Sequence, residues 1–104
     1  MRWLFHVAIA SEVRFEGGRY AAPSLDTEGF IHASHRDRVV ESARLYFPAG
    51  ADLRVLVIDP RLVDVPMFVV DTPRGPMPHI HGSIPRAAVR VIDLADVEAE
   101  PDEI

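Results

Sequence analysis

Five histidines fall within 104 residues, and the chain has neither cysteine nor lysine. Chemistry must therefore come from imidazole, carboxylate, hydroxyl and guanidinium groups. His6 sits in the middle of the apolar run Leu4-Phe5-His6-Val7-Ala8-Ile9. An imidazole in such a strand must find partners for its ring nitrogens or lose about 1–3 kcal/mol. It is therefore either a core histidine bonded to a carbonyl or a group aimed at a ligand. His32 lies in Phe30-Ile31-His32-Ala33-Ser34, and the period of two in a strand puts His32 and Ser34 on one face. His79 and His81 follow Pro78 and share a face if the chain is extended there. His35 opens a helix and is expected to be exposed. The candidate catalytic set is His6, His32 and His79, brought from distant parts of the chain to one cavity.

Other chemistries find less support. His79-Ile80-His81 is an HxH pair, to which His6 or His32 would have to add a third ligand. The nearest acid on its N-terminal side is Asp71, and no metal is expected. A thiolate nucleophile and zinc–thiolate sites are excluded by the absence of cysteine. A lysine Schiff base and a P-loop lysine are excluded by the absence of lysine. There is no GxSxG, no GxGxxG and no serine with a visible His–acid relay.

Charge narrows the partners. The formal net charge is -5, but residues 93–104 hold six acids and no base, leaving 11 bases and 10 acids elsewhere. A body so close to neutral argues against duplex nucleic acid, which favours a basic face. A nucleotide or small molecule needs only one or two well-placed arginines. The acidic segment 97–104 is expected to repel itself and to form a flexible tail beyond a domain over 1–96. No apolar run approaches the roughly 20 residues of a membrane span. Arg2, the apolar stretch Trp3 to Val7 and Ala8-Ile9-Ala10 imitate a signal peptide, but the unit is too short and His6 interrupts it. The segment reads as a strand of a cytoplasmic protein. Oligomeric state is left open.

The elements that must position the histidines follow from patterning. Trp3 to Ala10 reads as a central strand. Ser11 is expected to cap a short helix that Gly17-Gly18 ends. Residues 19–28 look like a loop, and Phe30 to Ala33 like a short strand. Ser34 and Asp37 stand in the capping-box relation, and Val39, Val40, Ala43, Tyr46 and Phe47 mark one face of a helix over 34–47. Leu53 to Ile58 is a strand apolar on both faces, and Met67 to Val70 is another. Residues 73–85 contain four prolines and are expected to form an ordered loop or edge ribbon, since proline cannot donate to a ladder. Ala88 to Leu94 is the last strand. The sum is an α+β fold with one long and one short helix.

These residues also carry a family resemblance. A first-strand histidine, Gly18-Arg19-Tyr20, Ser24-Leu25, Glu28-Gly29-Phe30-Ile31-His32-Ala33-Ser34 and Pro78-His79-Ile80-His81-Gly82 resemble the small bacterial family called domain of unknown function 952, over residues 2–94. His81 stands where tyrosine is usual. The resemblance implies a fold like that of ADP-ribosyltransferases, with small split sheets around a cleft that holds NAD, and a histidine placement like that of the RNA 2′-phosphotransferases. It implies that His6 contacts the nicotinamide ribose, with His32 and His79 as the second and third positions. Many ADP-ribosyltransferases carry a late-strand glutamate. Here the late strand offers only Asp93, and His79 stands as the equivalent. Tyr20 is then the candidate wall for nicotinamide, Arg19 the phosphate contact and Ser34 a further cofactor-binding residue. The reading is an NAD-dependent ADP-ribosyl-type transferase. The alternatives are a non-catalytic nucleotide or metabolite binding module, or a His-based metal-binding protein.

Overall fold

The computed structural model describes all 104 residues. Strand β1 (Leu4–Ile9) runs into a 3-10 turn (Ala10–Glu12), followed by β2 (Arg19–Tyr20), helix α1 (Ser24–Thr27), β3 (Ile31–His32) and helix α2 (Arg36–Tyr46). The second half holds β4 (Leu53–Ile58), β5 (Met67–Thr72), β6 (Gly75–Ile80), β7 (Ile84–Pro85) and β8 (Val89–Ile92). All strand pairs are antiparallel and form three small sheets, ordered β1-β4-β8, β2-β7 and β3-β6-β5.

The middle strand of the first sheet is β4, and its composition explains why. Val55 and Val57 are buried with Phe5, Val39 and Val97, while Leu56 and Ile58 are buried on the opposite face with Leu4, Ala8, Tyr20 and Ile80. A strand apolar on both faces separates two cores. The expected central strand, β1, instead lies at the side of this sheet. Its free edge is held by reciprocal backbone bonds between Phe5 and Ser34, at 2.8 and 2.7 Å. That bridge joins the first sheet to the chain just after β3.

Several local expectations are corrected. The segment at Ser11 makes only a 3-10 turn, and the short α-helix lies at Ser24–Thr27, inside the expected loop, which also holds β2. Helix α2 begins with His35 at its cap position and no side-chain cap bond. Ser34 is not the cap, because its hydroxyl bonds that of Ser42 at 3.0 Å instead. His35 is buried rather than exposed, within electrostatic reach of Arg2 and Asp102, and Tyr46 is exposed rather than in the core. The proline-rich stretch supplies β6, the middle strand of its sheet. Pro78 is tolerated there because its carbonyl, which needs no N–H, accepts from the Ala33 amide at 3.0 Å.

The acidic segment is not free. Val97 is buried in the second core, the Trp3 amide donates to the Asp102 carbonyl, and the Ile104 amide donates to the Met1 carbonyl. Arg2 pairs with Asp102, and Arg90 with Glu100. Arginines brought from elsewhere in the chain offset the mutual repulsion that composition alone predicts. No helix is long and apolar enough to cross a membrane.

Gly82, at φ 155°, closes the turn after β6, where an added Cβ would lie 2.8 Å from Val65 Cγ1. Gly82→Ala is expected to cost about 1–3 kcal/mol. An unchanged melting temperature by circular dichroism would refute that assignment.

Candidate functional site

A cavity of about 760 Å³ opens beside β1, between the first sheet and the β5–β6 hairpin. That volume lies within the roughly 300–1,000 Å³ usual for small-molecule sites. His6, His32 and His79 all line it, with Tyr20 and Ser34. The three imidazoles come from β1, β3 and β6. The last two are direct cross-strand neighbours, since His32 pairs with His79.

His6 lies on the same face of β1 as Leu4 and Ala8, against the first core. Its Nδ1–H donates to the His32 carbonyl at 2.6 Å, which leaves Nε2 to accept from the Tyr20 hydroxyl at 2.8 Å. The tautomer follows from the carbonyl, which can only accept. Both ring nitrogens are thus occupied within the protein. Burial pushes the His6 pKa down to about 4, so the ring is neutral at pH 7. Burial pushes the Tyr20 hydroxyl upward for the same reason, so it remains a proton donor.

His32 is arranged differently. It is half-exposed at the cavity mouth, and its Nε2–H donates to Glu28 Oε2 at 2.5 Å. The Gly29 turn, at φ 85°, bends the chain so that Glu28 comes back alongside His32. A carboxylate on one nitrogen leaves the other, Nδ1, with its lone pair. His79 stacks on Phe30, with ring centroids 3.9 Å apart and planes at 14°, and its ring centre is 5.7 Å from that of His32. Its pKa is lowered by desolvation first and then by the neighbouring His32 and His81.

One sequence expectation is revised at the site. Arg19 does not line the cavity; its guanidinium grips Asp64 at 3.0 and 2.5 Å and also Ser83. The guanidinium that does reach the cavity is that of Arg74, at the tip of the β5–β6 hairpin. Its Nη2 donates to Ser42 Oγ at 3.0 Å and its Nε to Glu41 at 2.8 Å. Ser42 in turn shares a bond with Ser34. Glu28, Ser42 and Arg74 were not found from sequence. Glu28 stood inside a recognisable motif, but its pairing depends on the turn. Arg74 reaches α2 only through the hairpin, which no local pattern announces. His81 lies outside the cavity, on the sheet face between Phe30 and Phe68. No group of three or more His, Asp and Glu side chains is gathered closely enough to hold a metal ion.

The profile of a family described as "Protein of unknown function (DUF952)" matches residues 9–92. The chain resembles the crystal structure of protein CC0527 from Caulobacter crescentus at 20% identity, with a TM-score of 0.76 over 88% of this chain and 84% of that one. A double-methionine variant of the same protein matches to the same degree. At that identity the likeness speaks for the fold alone. No curated protein matches the sequence.

His6 also sets a pH dependence of stability. Its folded pKa of about 4 lies below the unfolded value of 6.5. As pH falls below 6.5 the unfolded chain takes up a proton that the folded chain refuses, so stability declines until pH reaches about 4. The loss is on the order of 3 kcal/mol. His6→Gln, which keeps a donor and an acceptor, is expected to flatten this part of the profile in urea titrations. An equal slope in wild type and variant would contradict the assignment.

Proposed function

The chain belongs to the DUF952 family, a family of unknown function, and from that premise we propose that it binds a nucleotide of the NAD type in the cleft and transfers an ADP-ribosyl-type group. The observation that carries this reading is the meeting of three histidines, distant in sequence, on one cavity, with one of them oriented by a carboxylate.

Cleaving a nicotinamide glycosidic bond passes through an oxocarbenium-like state. It requires a fixed ribose, a wall for a planar ring, a positive charge near the diphosphate and a base for the incoming nucleophile, but no metal. The cleft offers groups for the last three of these requirements. Glu28 holds His32 in the tautomer whose Nδ1 is free to take a proton from an acceptor, the same division of labour as in a carboxylate–imidazole pair of a hydrolase. His79, held flat against Phe30, presents an aromatic ring to the cavity. Arg74 takes the part expected of Arg19, as the guanidinium facing the cavity. His6 acts as a positioning residue, since its nitrogens are spent on His32 and Tyr20.

That last point favours a second reading, a non-catalytic module that binds the same class of ligand. In that case the His6–Tyr20 pair shapes the pocket and no bond is broken.

The two readings separate in one set of measurements. NAD or ADP-ribose should raise the melting temperature, by an amount that follows RT ln(1 + [L]/Kd). Transfer predicts nicotinamide release that falls by about 10²-fold or more in His32→Ala and in Glu28→Gln, with ligand-induced stabilisation retained in both. Stabilisation without release would leave the binding module. Neither stabilisation nor release would end both readings.

A further inference from the structure

Strand β5 closes one side of its sheet, and nothing in the chain covers it. It runs six residues, Met67–Thr72, and pairs only with β6. The ladder fixes which backbone groups are free. His81 donates to the Pro66 carbonyl, and the Pro78 carbonyl accepts from Ala33 on the opposite side of β6. By alternation, Phe68, Val70 and Thr72 direct their N–H and C=O groups at β6, while Met67, Val69 and Asp71 direct theirs outward. Side chains along the strand are equally uncovered, with Phe68 58% exposed, Val69 55% and Val70 38%. Edges of this kind are normally guarded by lysine, a bulge, an internal proline or a covering loop. Here the prolines, Pro66 and Pro73, stand only beyond the two ends of the strand.

We propose that β5 pairs with β5 of a second copy of this chain, forming a two-fold dimer with one continuous six-stranded sheet, β3-β6-β5 joined to the same three strands reversed. The sequence of the edge is self-complementary about Val69. With Val69 opposite the partner's Val69, the outward-facing residues meet outward-facing residues, as an antiparallel ladder requires. Phe68 falls opposite the partner's Val70, an aromatic–β-branched pair of the kind that stabilises antiparallel sheets. Asp71 falls opposite the partner's Met67, so the one charged residue of the strand never faces its own copy. A two-fold axis normal to the sheet keeps each residue on its own face. His32, His79 and Phe68 of both copies therefore lie on the same side of the joined sheet, and both cavities open on that side.

The chain contains no cysteine, which allows a direct test of register. Val69→Cys should form an intermolecular disulfide readily under mild oxidation, because a directly opposed pair lies within disulfide reach. Asp71→Cys should not, since the two copies of position 71 would be offset by about 13 Å along the strands. Sedimentation velocity should show a concentration-dependent dimer. Val69→Lys should raise its dissociation constant at least about tenfold while leaving the monomer's circular dichroism spectrum unchanged. Wild-type protein that stays monomeric at millimolar concentration would overturn the proposal. So would equal cross-linking at positions 69 and 71, or a dimer that survives Val69→Lys.

Discussion

One neutral imidazole joins the three sheets of this protein. His6 belongs to the β1-β4-β8 sheet, donates to the His32 carbonyl in the β3-β6-β5 sheet, and accepts from Tyr20 in the β2-β7 sheet. Each sheet has only two or three strands and would be marginal alone. Bringing them together leaves polar groups facing one another at the junction, and each must find a partner there. A side chain with one donor and one acceptor at opposite sides of a rigid ring meets that demand, provided that it stays uncharged. Burial keeps it uncharged by depressing its pKa. The Phe5–Ser34 backbone bridge reinforces the same junction.

The cavity is a consequence of that arrangement. The β3-β6-β5 sheet meets the first sheet near β1, through the His6–His32 and Phe5–Ser34 bonds, and the space left between β1 and its β5–β6 hairpin is the cleft. Its polar lining divides by position. Groups near the junction, His6 and Tyr20, have used their hydrogen-bonding capacity on each other and on the His32 carbonyl. Groups toward the mouth have not: His32 keeps a free nitrogen, and Arg74 presents its guanidinium between the cavity and Glu41. An imidazole with a free nitrogen at the mouth, paired with Glu28, and a fully bonded one at the base is a division that counting histidines does not reveal.

The hairpin contributes to both faces of the molecule's chemistry. Its tip carries Arg74 to helix α2, where the guanidinium also lies 5.5 Å from the Tyr46 ring centre. One of its strands, β6, holds His79 at the cavity; the other, β5, presents an open edge to solvent. Because the strands alternate, the face that carries the imidazoles is continuous with the apolar face of the edge. Whatever covers β5 therefore also borders the mouth of the cleft.

Periodicity and residue type were enough to fix the α+β class, helix α2, the doubly buried β4, and the nomination of His6, His32 and His79, because strand alternation and the cost of burying an imidazole are local properties of a sequence. They were not enough for β6, since the rule against proline in central strands holds only when the proline must donate, and Pro78 is used as an acceptor. They failed for Ser34 and His35, whose local pattern indicates a cap and an exposed position while distant partners decide otherwise. They failed also for Arg19 and Arg74: a guanidinium reaches far enough that its role is set by which carboxylate or cavity the fold brings near. The same holds for the acidic C-terminal segment, where composition records the repulsion but only tertiary contact supplies the arginines and the apolar core that offset it.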